Sequence, residues 1–184
     1  RIFSGIFYRL IFSDLKSFKL ATSQPIGELH GFSYRIPDLL EALKYKKSLK
    51  ILHLEFQNMG RNINNATLSK LSETLEDLRE LREFKLNAQG SKIDDQGIIK
   101  FAKALPKAIN LEKISIDFCY GERIENSTLI ELLKSFSLLR HLRRIDFSLL
   151  CLEVNLATYE TVILLLNRLR SLSFFRLKLI LVNK

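Results

Sequence analysis

Cysteine is scarce in this chain: Cys119 and Cys151 are the only two in 184 residues. A lone pair builds no disulfide framework, and the sequence therefore points to a reducing, intracellular compartment. The histidines are as few. His30, His53 and His141 stand at no spacing that would let them share a metal with one another or with a cysteine. No apolar run approaches the roughly eighteen residues that a membrane-spanning helix needs. A Gly-rich phosphate loop, an HExxH helix, a paired CxxC and a nucleophile elbow are all missing. These absences argue against an enzyme, a cofactor, a metal, a membrane partner and a small-molecule substrate. The opening segment, Arg1 to Phe12, is aromatic and apolar but has neither a starting Met nor a small-residue cleavage site. It reads as part of the fold rather than as a signal peptide.

What is present is enough apolar material for one domain with a real core, since 47% of the residues are hydrophobic. The 27% charged fraction has both signs interspersed, which argues against disorder. The formal net charge is +9, an excess that suits acidic partners, nucleic acid or an anionic assembly without choosing among them.

A repeat organises the chain. Leu49, Leu52 and Leu54 stand at positions 1, 4 and 6 of a short motif, and the spacing returns as Leu81, Phe84, Leu86 and as Leu111, Ile114, Ile116. It returns again as Leu142, Ile145, Phe147 and as Leu172, Phe175, Leu177, with a weaker first copy at Leu15, Phe18, Leu20. The lead leucines at 15, 49, 81, 111, 142 and 172 are separated by 34, 32, 30, 31 and 30 residues. Counting back from Leu142 by 3, 6, 10, 13 and 18 gives Leu139, Phe136, Leu132, Leu129 and Ile124. The same count from Leu172 gives Leu169, Leu166, Val162, Tyr159 and Val154, and the columns before Leu81 and Leu111 are likewise apolar. Steps of three and four describe one face of a helix, whereas the 1-4-6 pattern has the alternation of a strand. Each unit is therefore strand, loop, helix and return.

Helices are predicted at about 37–47, 66–79, 96–108, 127–139 and 158–169, and strands near 18–21, 51–56, 83–87, 113–118, 144–149 and 174–179. Asp94-Asp95-Gln96-Gly97 and Asn126-Ser127-Thr128 stand at helix starts, where short polar side chains cap free N–H groups. Pro37-Asp38 suits a first helical turn.

With Ile93-Asp94-Asp95-Gln96-Gly97-Ile98-Ile99-Lys100-Phe101-Ala102-Lys103-Ala104-Leu105 as the closest stretch, the units resemble leucine-rich repeats of the ribonuclease-inhibitor-like type. The resemblance implies an α/β fold, a right-handed solenoid or horseshoe with parallel strands on the concave face and helices on the convex face. It spans residues 1–184 as a single domain of about five and a half repeats. Family repeats usually carry Asn or Cys at position 9, and here that position is Gln57, Gln89, Cys119 and Leu150. Only Cys119 fits, which predicts irregular loops on that edge. One unit cannot bury enough surface to offset the entropy of ordering it, so stability must come from stacking neighbours. The last copy ends at Leu179 to Lys184, a strand with no helix behind it, which makes the chain read as a fragment of a longer protein.

Three surfaces follow from the register. The concave face shows the residues between strand anchors, among them His53, Glu55, Lys85, Asn87, Asp117, Asp146 and Arg176. Their mixed charge suits a protein partner, or a merely solvated sheet. The edge where helices return to strands carries nearly the whole net charge, through Lys46, Lys47, Lys50, Arg140, Arg143, Arg144, Arg168 and Arg170. Cations are favoured at helix C-termini, and the same ridge could seat phosphates. On the last helix Leu164, flanked by Ile163 and Leu165, stands eight residues before its lead leucine, where the other repeats carry Glu73, Lys103 and Lys134. An apolar residue at a charged position marks a contact patch.

The function these features suggest is a non-catalytic, protein-binding scaffold subunit of a larger assembly. Two alternatives are an RNA- or polyanion-associated subunit using the basic edge, and the recognition arm of an enzyme encoded elsewhere in the same chain.

Overall fold

The computed structural model describes residues 14–21, 36–56, 63–119, 122, 124–151 and 154–181. The opening segment Arg1 to Phe12, position Gln57 and the last residues, 182–184, lie outside the described residues. Among the described residues six strands and five α-helices alternate: β1 Ser17–Ala21, α1 Ile36–Lys44, β2 Ile51–Glu55, α2 Asn65–Asp77, β3 Glu83–Asn87, α3 Asp95–Ala104, β4 Lys113–Phe118, α4 Asn126–Ser137, β5 Arg144–Cys151, α5 Leu156–Leu166 and β6 Phe174–Leu181. The strands form one parallel sheet in the order β1-β2-β3-β4-β5-β6.

The register is the one the repeat predicts. Phe18, Leu52, Phe84, Ile114, Ile145 and Phe175 are paired side by side, as are Leu20, Leu54, Leu86, Ile116, Phe147 and Leu177. From β2 to β5 both rows are buried. They belong to one apolar cluster with the helix residues Leu40, Leu71, Ile98, Phe101, Leu132 and Phe136. The helices therefore cover one face of the sheet and leave the other open. Each helix touches the next, α1 on α2 through α4 on α5. Aromatic rings meet in the interior: Phe147 packs edge-on with Phe118 and Phe136, with centroids 6.4 and 5.9 Å away.

The helices end two to four residues earlier than the periodicity predicts, for one reason repeated along the chain. The residue three before each lead leucine is buried from the return loop, not from the helix. Leu78, Ala108, Leu139 and Leu169 each donate to the carbonyl three residues back, and each lead leucine then does the same. These tight turns carry the apolar period past the last helical residue. After α3 the turn is a 3₁₀ segment, Leu105–Lys107.

Caps follow the sequence in part. Asp94 caps α3, its carboxylate accepting from the N–H groups of Gln96 (2.9 Å) and Gly97 (3.2 Å). Pro37 lies in the first turn of α1. The cap expected at Asn126-Ser127-Thr128 is not there, because α4 begins at Asn126 after Glu125, whose side chain makes no cap bond. Glu125 is held from the preceding repeat instead: its N–H donates to Asp95 Oδ1 at 3.0 Å. Asn65 does the equivalent for Asp94, donating to its carboxylate at 2.8 Å and accepting from its N–H at 3.1 Å.

Candidate functional site

On the open sheet face the outward side chains of neighbouring strands satisfy one another. His53 Nε2 lies 2.7 Å from Glu83 Oε1, and Lys113 reaches the other Glu83 oxygen at 3.3 Å. Burial pushes the Glu83 carboxyl up, but the hydrogen bonds from His53 and Lys113 outweigh it and leave the group below its ordinary value. Lys85 donates to Glu55 at 2.7 Å, and Arg176 Nε donates to Asp146 at 2.7 Å. Arg144 lies over the ring of Phe174, 3.8 Å from its centroid. Pairs that solvent still reaches, as it reaches these, add little to stability. Their consequence here is that a partner must displace them to use those side chains.

Two of the seven concave-face residues are committed to turns. Asn87 is buried, and its Oδ1 accepts from the N–H of Gln89 at 3.2 Å, which corrects its placement on an accessible surface. Asp117 accepts from the N–H of Cys119 at 2.9 Å and from the Gln89 side chain at 2.7 Å. That last bond also answers the misfit at position 9. Gln89 reaches into the next repeat with its amide, and the loop backbones pair regularly, Ala88 to Asp117 and Gly90 to Cys119 at 2.9 Å. Gly90 has φ 69°, the left-handed conformation that a glycine adopts without strain. The expected irregularity is absent between these two repeats.

The basic edge is less uniform than its composition suggests. Lys46 is buried, which removes it from any exposed ridge. The signal was in the sequence: Lys46 stands three residues before Leu49, in the column filled by Leu78, Ala108, Leu139 and Leu169. Farther along, Arg82 pairs with Glu112 and Lys107 with Glu76, at 2.7 and 2.6 Å. Arg140, Arg143, Arg168 and Arg170 are exposed, as is Lys47, whereas Lys50 is half-buried. A groove of about 410 Å³ opens where α4 and α5 end, and Arg140, Arg168 and Arg170 line it with Ser137 and Ser171.

On α5 the expected patch is shifted round the helix. Leu164 is 64% and Ile163 43% exposed, but Leu165 is buried, a correction to its placement in the patch. Leu165 stands seven residues before Leu172, the place of Thr74, Ala104 and Ser135, all buried. Thr74 shows what that position does: its hydroxyl donates to the Leu40 carbonyl of the preceding helix at 3.0 Å. Tyr159, expected in the core, is exposed together with Leu156. In the other helices the positions of Tyr159 and Ile163 are held by Leu68, Ile98 and Leu129 and by Leu40, Ser72, Ala102 and Leu133, all covered by a following helix. Among the described residues none follows α5.

No family model matches the chain, and no curated protein sequence is similar to it. Solved structures are. One, titled Leiomodin-1 Actin-Binding Site 2, superposes with a TM-score of 0.61 at 17% identity, covering 91% of this chain and 89% of its own. The tropomodulin C-terminal domain of Caenorhabditis elegans gives 0.62 at 17% identity, covering 90% and 91%. With the strand-helix register, this likeness fixes the architecture. The fold is leucine-rich-repeat-like.

Within that fold the Cys119 backbone is held in the loop by Asp117. Burial, then the Asp117 carboxylate, push its thiol up to about 12, far from the thiolate a nucleophile needs. Among the described residues no group of three or more His, Cys, Asp and Glu side chains could hold a metal ion. Nor, among the described residues, is any helix long and apolar enough to cross a membrane.

Proposed function

We propose that this chain is a non-catalytic, protein-binding module of a larger assembly, and that its partner seats on α5. The supporting observation is the set of large apolar side chains on that helix. Leu156, Tyr159, Ile163 and Leu164 stand exposed on one element, while equivalent positions elsewhere are polar or covered. A cluster of this kind is what soluble surfaces avoid unless a partner covers it. The open sheet face is the lesser candidate, because its charges are already satisfied within the sheet. The repeat pattern supports a right-handed horseshoe of the ribonuclease-inhibitor-like type, with the open sheet face as its concave side.

The likeness to a structure titled for an actin-binding site makes actin the first defined partner to try. In the native assembly, chemical cross-links are expected to concentrate around α5. Leu156→Glu combined with Leu164→Glu should lower partner retention at least about tenfold, the loss of two anchors. Glu55→Ala combined with Lys85→Ala should leave it near the unaltered value. Full retention by the α5 variant, with the helical circular dichroism preserved, would sink this reading. Failure to bind purified actin excludes only that partner.

A further inference from the structure

The register that builds the fold exposes a vacancy in its charge pairing. Lys107 stands four residues before its lead leucine and reaches back to Glu76, five before the preceding lead, at 2.6 Å. In the last two repeats the same positions are Arg168 and Ser137. The cation is kept and its carboxylate is replaced by a hydroxyl, which Ser137 donates to the Lys134 carbonyl at 2.7 Å. Ser171 likewise spends its hydroxyl on the Arg140 carbonyl, at 3.0 Å. Arg168 thus lines the groove at the ends of α4 and α5 with Arg140 and Arg170, and no described carboxylate pairs with any of the three. Nor does the local sequence supply one: Asp and Glu are missing from Leu132 to Ile145 and from Thr161 to Lys184.

Helix C-termini favour a cation nearby, but three exposed arginines around one groove exceed what two helix ends need. Arginine presents a planar fork of donors that matches the paired oxygens of carboxylates and phosphates. A nucleic acid would ask for a continuous track. The edge does not offer one, since Lys46 is buried and Arg82 and Lys107 are internally paired. A single compact anionic group fits better.

We propose that this groove binds an acidic segment of a protein partner, taking two neighbouring carboxylates or one phosphate group on Arg140, Arg168 and Arg170. It rests on the reading that the chain binds protein, but on different residues. Fluorescence anisotropy on the whole chain tests it with three probes: a hexaglutamate peptide, a peptide bearing one phosphoserine, and a single-stranded oligothymidylate. At least one peptide should bind, with affinity falling steeply as salt rises. Replacing Arg140, Arg168 and Arg170 together by Gln should weaken it at least about tenfold, since each charge-assisted hydrogen bond is among the stronger kinds. Replacing the exposed Lys16, Lys47 and Lys103 by Gln removes the same charge and should cost about threefold or less, the diffuse electrostatic share. Preference between the peptides identifies phosphate or carboxylate. The proposal is overturned if neither peptide binds, if both triple variants lose equally, or if the oligothymidylate binds more tightly than the peptides. Melting curves confirm that the variants stay folded, and triple Arg→Lys retains charge without the fork and should bind at an intermediate level. Because Leu156 and Leu164 do not line the groove, Leu156→Glu with Leu164→Glu should keep peptide binding. Loss of the partner in that variant with no peptide binding in the unaltered chain would remove this proposal alone.

Discussion

Single residues here carry meanings set by the repeat beside them. Gly97 lies in the first turn of α3, where alanine would normally add about 0.5–1 kcal/mol of stability. A Cβ at that position would stand 2.2 Å from Asn65 Oδ1, the atom that accepts from the Asp94 N–H. Gly97→Ala must push Asn65 aside and break the bond between two repeats, so a net loss of about 1–2 kcal/mol is expected. Urea denaturation followed by circular dichroism measures it, and a gain in stability would show that Asn65 moves without cost. Lys46 makes the same point from the other side. Its charge reads as part of a basic ridge, yet its column assigns it to the interior, and the column prevails because the tight turn after α1 presents that position inward.

At the scale of elements, α4 and α5 form a natural comparison. Leu133 and Ile163 both stand nine residues before a lead leucine and are of similar size. Leu133 is buried in the layer that includes α5, whereas Ile163 is partly exposed, with no described helix following it. Leu133→Ala should therefore cost about 2–5 kcal/mol, the range for truncation in a packed core, and Ile163→Ala less than about 1. Paired denaturation curves decide the matter: equal losses would mean that α5 is covered in solution. The helix lengths carry a related lesson. Apolar spacing of three and four continues through the return turns, so periodicity alone overestimates each helix by two to four residues at its C-terminal end. Only the bonding pattern separates an α-helical turn from the tighter turn that follows it.

Across the described residues, the strands pair in chain order and each helix packs on its neighbours. Stability in such an array is a sum of units and nearest-neighbour interfaces. Amide hydrogen exchange should show its strongest protection in β3 and β4, flanked on both sides, and weaker protection in β1 and β6 at the sheet edges. Protection uniform along the chain would mean that the array opens only as one unit.

The sequence by itself determined the period, the strand register and nearly all of the core, because residues recurring every thirty or so positions must meet when units stack. It also marked α5 and the basic edge as unusual. Tertiary structure decided which of those positions are free. Leu165 and Lys46 disappeared inside, Tyr159 emerged, and the charges of the open face paired across strands. The physical reason is that burial and charge pairing belong to an interface between two repeats, so they depend on what the neighbour offers at the facing position. Periodicity within one repeat cannot supply that. Glu76 and Ser137 occupy the same place in their repeats and both face a cation, but the carboxylate gives Lys107 a counter-ion whereas the hydroxyl leaves Arg168 without one among the described residues.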